Sequence, residues 1–90
     1  MDNSKVLKTA LVTYGIDMQR AVAIEEMAEL TKELVKDKRG QDNLDHIIEE
    51  IADVEIMLAQ LKLHYEIGRE VQFEIIEKVK RLANRLGLTE

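Results

Sequence analysis

The chain has no cysteine, no proline and no tryptophan, and only Tyr14, Tyr65 and Phe73 are aromatic among its 90 residues. Without cysteine, disulfides and thiolate metal sites are excluded. A domain this short is marginal as a lone monomer and is helped by a disulfide, a metal or a partner chain. Oxygen-ligated metal and self-association are the routes left open. An excess of positive charge is missing too: the net charge is −5, which argues against general or stable nucleic-acid binding, where basic patches dominate. No apolar run is long enough for a bilayer. The opening residues Met1-Asp2-Asn3-Ser4-Lys5 lead into no secretory apolar core. A soluble, cytoplasmic chain with no membrane partner is expected, read as one domain over 1–90.

What is abundant is Leu, Ile, Glu, Lys and Ala, a composition that favours helix throughout. Breaks fall at Gly15, at the stretch 37–43 and at Gly68. They predict an all-α fold of four helices, over about 4–14, 17–37, 43–67 and 69–86. Asp17 is a candidate N-cap for the second helix, and Gly68 stands past the end of the third. The expected architecture is a four-helix bundle completed by oligomerisation. Its support is the third helix, which carries two apolar faces. Ile47, Ile51, Val54, Leu58 and Leu61 form one; Ile48, Ala52, Ile56, Ala59 and Leu63 form the other. A monomer's surface helix needs only one such stripe.

Charge is uneven along the chain. Residues 25–55 hold eleven acids and four bases; the rest hold seven acids and nine bases. In the acidic middle, Glu26 and Glu29 share a face of the second helix, with Glu33 a turn further on. Ala23, Met27, Leu30 and Leu34 form an apolar arc expected on the opposite side. Glu50 and Asp53 share a polar stripe of the third helix with His46. A short connection predicts that the two helices are antiparallel, so both acid pairs can meet. Converging carboxylates repel unless a hard cation with oxygen ligands, Mg2+ above all, joins them. A di-iron site is disfavoured, since neither His46 nor His64 has a glutamate three positions before it. On the last helix Lys78, Arg81 and Arg85 recur on one face and are candidate phosphate contacts, acting within the chain or across a subunit boundary. Arg39 is a further loop candidate. No glycine-rich phosphate loop is present.

At these residues the chain resembles the MazG-like nucleoside triphosphate pyrophosphohydrolases, an all-alpha family. Its Glu-Glu-x-x-Glu motif is matched by Glu25-Glu26-Met27-Ala28-Glu29. Its Glu-x-x-Asp motif is matched by Glu50-Ile51-Ala52-Asp53, with Glu49 before it. The segment Tyr14-Gly15-Ile16-Asp17-Met18-Gln19 looks like the family's Trp-Gly-x-x-x-Gln, with Tyr14 in place of tryptophan. Lys78-Val79-Lys80-Arg81 is similar to its Lys-x-x-Arg. The resemblance implies Mg2+ at Glu26, Glu29, Glu50 and Asp53, and catalytic, water-orienting roles for Glu25 and Glu49. It also implies hydrolysis of a nucleoside triphosphate to monophosphate and pyrophosphate, in a homodimer or a dimer of dimers. Tyr14 and Gln19 are the candidate base contacts, and nucleotide-pool cleaning is a compatible task. Two other readings stay open: phosphoribosyl-ATP pyrophosphohydrolase, a relative with similar motifs, and a non-catalytic helical assembly protein.

Overall fold

A computed structural model of the chain describes residues 3–88; Met1 and Asp2, where the absence of a leader was read, lie outside it. Four helices and no strand occur among the described residues: α1 (Asn3–Tyr14), α2 (Ile16–Lys38), α3 (Leu44–Tyr65) and α4 (Gly68–Arg85).

The joints differ in detail from those expected. The turn from α1 to α2 pivots on Gly15, whose φ of 82° suits a residue without a Cβ. Gly15 is thus the N-cap. Asp17 lies inside the first turn and pairs with Arg20 at 2.9 Å. The α3 helix ends earlier than Gly68: Glu66 takes the left-handed conformation at φ 55°, and Gly68 opens α4. Asn43 occupies the N-cap position of α3 but makes no side-chain cap. Its amide turns back onto α2.

The antiparallel pair α2 and α3 is the body of the fold, and α1 packs against both. One end of the pair is tied by Arg20 Nε, which donates to the Tyr65 hydroxyl at 3.0 Å. At the other end Asn43 Nδ2 donates to the Glu33 backbone carbonyl and to Glu33 Oε1, each at 2.9 Å. Between these ties lie the buried residues Gln19, Ala23, Met57 and Gln60. Residues 19, 23, 26, 30 and 33 recur at three- and four-residue steps, so Glu26 and Glu33 share the inward face with Ala23 and Leu30. The expectation of acids opposite the apolar arc is therefore corrected. It is Met27 and Leu34, each more than two-fifths exposed, that turn away.

α4 stands apart. It meets α3 and, among the described residues, neither α1 nor α2, and it buries no residue. The molecule is correspondingly open, with a radius of gyration of 16.3 Å and extents of 47 × 36 × 25 Å. A compact domain of this length has a radius of gyration of roughly 12 Å. The apolar faces of α3 and α4 remain uncovered in the single chain: Ile48 and Val79 are each 58% exposed.

Candidate functional site

Both helices turn polar residues into their contact, which makes the centre of the α2–α3 pair a carboxylate cluster. Ligand oxygens of Glu26, Glu50 and Asp53 lie within 4.8 Å of one another. Two come from successive turns of α3 and one from α2, so the antiparallel packing of the pair builds the group. Glu26 and Glu50 are half-buried and Asp53 is exposed, which leaves the cluster open on one side. Glu50 Oε2 is shut off from solvent and has no hydrogen-bond partner among the described residues.

The electrostatics follow from that crowding. Glu26 is raised above the ordinary carboxylate range, first by a hydrogen bond with Asp53, then by burial and by the charges of Asp53, Glu50 and Glu29. Glu50 is raised first by burial, then by Asp53, Glu29, Glu33 and Glu49. Proximity of like charges and loss of water both disfavour the ionised forms. Glu29 is exposed and outside the close group, but its charge reaches both carboxylates. Glu25 and Glu49 are exposed next to the cluster residues on their helices, and the charge of Glu49 reaches Glu50.

Glu33, a turn beyond Glu29, behaves in the opposite way. It is 5% exposed and accepts hydrogen bonds from Asn43 and from Lys36 Nζ at 3.2 Å. These hold its carboxyl below the usual range, Asn43 contributing most. This Glu33–Asn43–Lys36 lock fixes the end of the seam next to the cluster. Sequence reasoning missed it. Its one available signal was Glu33 continuing the Glu26–Glu29 face, and its partner lies ten residues away across a loop.

The remaining candidates are dispersed. Lys78, Arg81 and Arg85, with Asn84, line an open cleft of about 560 Å3 along α4. Among the described residues no ion pair joins them to the carboxylate cluster; the α4 pair present is Lys80 with Glu77 at 3.5 Å. Tyr14 is exposed. Gln19 is 6% exposed, packed within the pair and not in an open pocket. Gln60, 3% exposed with Oε1 unpartnered, was not singled out in the sequence. His46 is exposed and its charge acts on Glu33; His64 meets Tyr65 edge-on at 4.7 Å. Arg39 is exposed in the α2–α3 turn.

No protein-family model, no curated protein and no solved structure matches the chain.

Proposed function

We propose that the chain is a Mg2+-dependent hydrolase that converts nucleoside triphosphates to nucleoside monophosphate and pyrophosphate. The observation that carries this reading is the carboxylate triad of Glu26, Glu50 and Asp53, one of whose oxygens is buried without a partner. A hard divalent cation fits such a donor set: it takes oxygen ligands, and Mg2+ is content with few carboxylates while keeping several waters. Glu26, Glu50 and Asp53 would hold it, with Glu29 closing on it from the rim. When bound, the cation neutralises phosphate charge and polarises the scissile anhydride.

The chain's own groups do the rest. Glu25 or Glu49 accepts the proton of the attacking water as its oxygen bonds to the α-phosphorus and the bond to pyrophosphate breaks. Lys78, Arg81 and Arg85 meet the charge that develops on the leaving group. Support for a cut between the α and β phosphates comes from the likeness of the two acid motifs to the MazG-like family. The same likeness, with the bare apolar faces of α3 and α4, supports a homodimer or a dimer of dimers. A nucleotide-pool role in the cytoplasm is part of the same proposal.

A panel of nucleoside triphosphates and phosphoribosyl-ATP, with chromatography of products, tests the reading. Monophosphate and intact pyrophosphate are expected, with Mg2+ required. Glu26→Gln should cut turnover by about 100-fold or more, because a ligand carboxylate positions both water and substrate. Lys78→Ala should act more mildly and partly on KM. Orthophosphate as product would move the cut to the other bond. Turnover of phosphoribosyl-ATP alone would favour that relative. No turnover of any substrate would leave the exposed apolar faces as the functional surface of an assembly protein.

A further inference from the structure

α4 carries its charges in an unusual order. Glu70, Glu74, Glu77, Lys78, Arg81 and Arg85 all fall on one flank of the helix, within an arc of about 100°. Along that flank the first three are acids and the last three are bases. Beside it runs the apolar stripe of Val71, Ile75, Val79, Leu82 and Leu86. The last four of these are each more than two-fifths exposed. Among the described residues, none of Glu70, Glu74, Lys78, Arg81 and Arg85 enters an ion pair.

Reversed, the flank is its own complement. Turned end over end about the point between Glu77 and Lys78, it sets Glu70 level with Arg85, Glu74 with Arg81 and Glu77 with Lys78. A two-fold axis perpendicular to two antiparallel helices lays a flank of one beside the same flank of its copy. Every pair along that contact is then of opposite charge. The same axis puts Leu82 and Leu86 of the second copy at the heights of Phe73 and Arg69. There they meet a shallow groove of about 360 Å3, lined by Ile67, Val71, Ile75 and the stems of Glu70, Glu74 and Lys78. A parallel pair has no such match. It sets the flank beside the opposite one, where Lys80 of one copy stands near the height of Lys78 and Arg81 of the other.

The exposed area is sufficient. The chain exposes 7368 Å2, whereas a folded monomer of 10.4 kDa exposes roughly 5400 Å2. The excess is more than the roughly 800 Å2 that each partner gives to a stable interface. It leaves room for a contact on α4 besides one on the outer face of α3.

We infer that α4 pairs antiparallel with α4 of a second copy, its apolar stripe forming the seam and its acid-then-base flank setting direction and register. Association as such is already expected from α3; the face, the orientation and the charge register are what α4 adds. Burial of the stripe supplies the affinity. The ion pairs on its rim contribute little to that, but they select the antiparallel arrangement over the parallel one and over slipped registers. Arg81 and Arg85 keep donors beyond those that one carboxylate takes, so the pairing leaves them able to meet an anion as well. The inference holds or fails independently of any hydrolase activity.

Two measurements test it. The chain lacks cysteine, so introduced thiols are the only ones a short bis-maleimide can join. Glu70→Cys and Arg85→Cys, co-expressed with different tags, should give a covalent dimer that carries both tags. Neither variant should link to itself, because its two thiols then stand about 22 Å apart along the seam. A link from Glu70→Cys alone would mean a parallel pair, and no link from the mixture would mean that α4 is covered in another way; both results overturn the inference. The second measurement reverses charges. Glu70→Lys/Glu74→Lys makes the flank almost wholly basic, and Arg81→Glu/Arg85→Glu makes it almost wholly acidic. Each alone, with its helical circular dichroism intact, should associate about ten-fold more weakly in sedimentation. Mixed, they should form a heterodimer at least as tight as the wild-type dimer. Two variants that each associate like the wild type would show that the flank does not direct the seam, and the inference falls.

Discussion

Glu33 and Glu50 are glutamates of one seam, both withdrawn from water to different degrees, and the groups around them push them in opposite directions. Glu33 is held ionised by Asn43 and Lys36. Its folded pKa lies below its unfolded one, so its contribution is full at neutral pH and is lost as pH falls through the folded value. Denaturation followed from pH 7 to pH 3 should show this loss, and Glu33→Gln should flatten it. Asn43→Ala removes the principal donor and strands a buried acceptor, so the melting temperature should fall by roughly 5 °C. Glu50 faces burial and like charges, and its Oε2 meets no donor among the described residues. Glu50→Gln should therefore raise the melting temperature of the metal-free protein and, at the same time, abolish the stabilisation by millimolar Mg2+ that linkage predicts for the wild type. A Glu50→Gln chain that is less stable without Mg2+ would show that repulsion is not the dominant force there.

At the scale of the element, the junction between α3 and α4 turns on a non-glycine residue in the left-handed region. Glu66→Gly should leave the melting temperature unchanged or raise it slightly. Glu66→Val, branched at Cβ, should lower it by roughly 5 °C. This junction also shows where the sequence was legible and where it was not. Period and composition placed all four helices to within about two residues at most ends, because an amphipathic stripe and a glycine break are local signals. Asp17 and Gly68 were misread because backbone conformation, not residue preference, decides a cap: Gly15 takes the φ that the first turn needs, and Glu66 accepts the one that ends α3. The acid pairs were legible as pairs. Their inward phase was not, since a carboxylate next to an apolar arc reads as an outer face until the register of α2 against α3 is known. That register, which sets Glu26 beside Asp53 and Glu33 beside Asn43, joins residues far apart in the chain. For the same reason the Arg20–Tyr65 tie and the buried Gln60 were not anticipated.

Across the whole molecule, a packed three-helix body carries a fourth helix that it does not cover. Ile48 and Ile56 lie exposed on the same outer side of α3, where contact with another chain would hide them. Sedimentation at micromolar concentration should show a dimer or a larger closed assembly. Ile48→Glu/Ile56→Glu should give a smaller species that keeps its helical circular dichroism. A wild-type monomer at that concentration would refute the assembly. The separation of α4 from the body also bears on how the chain finds its fold. The α2–α3 hairpin closes over a loop of a few residues, and its contacts are among neighbouring elements, which makes for rapid unimolecular folding. Under the proposed self-association, the last helix gains its cover only from an encounter between chains. Refolding after dilution from denaturant should thus split into a fast phase whose rate ignores protein concentration and a later one that accelerates in proportion to it.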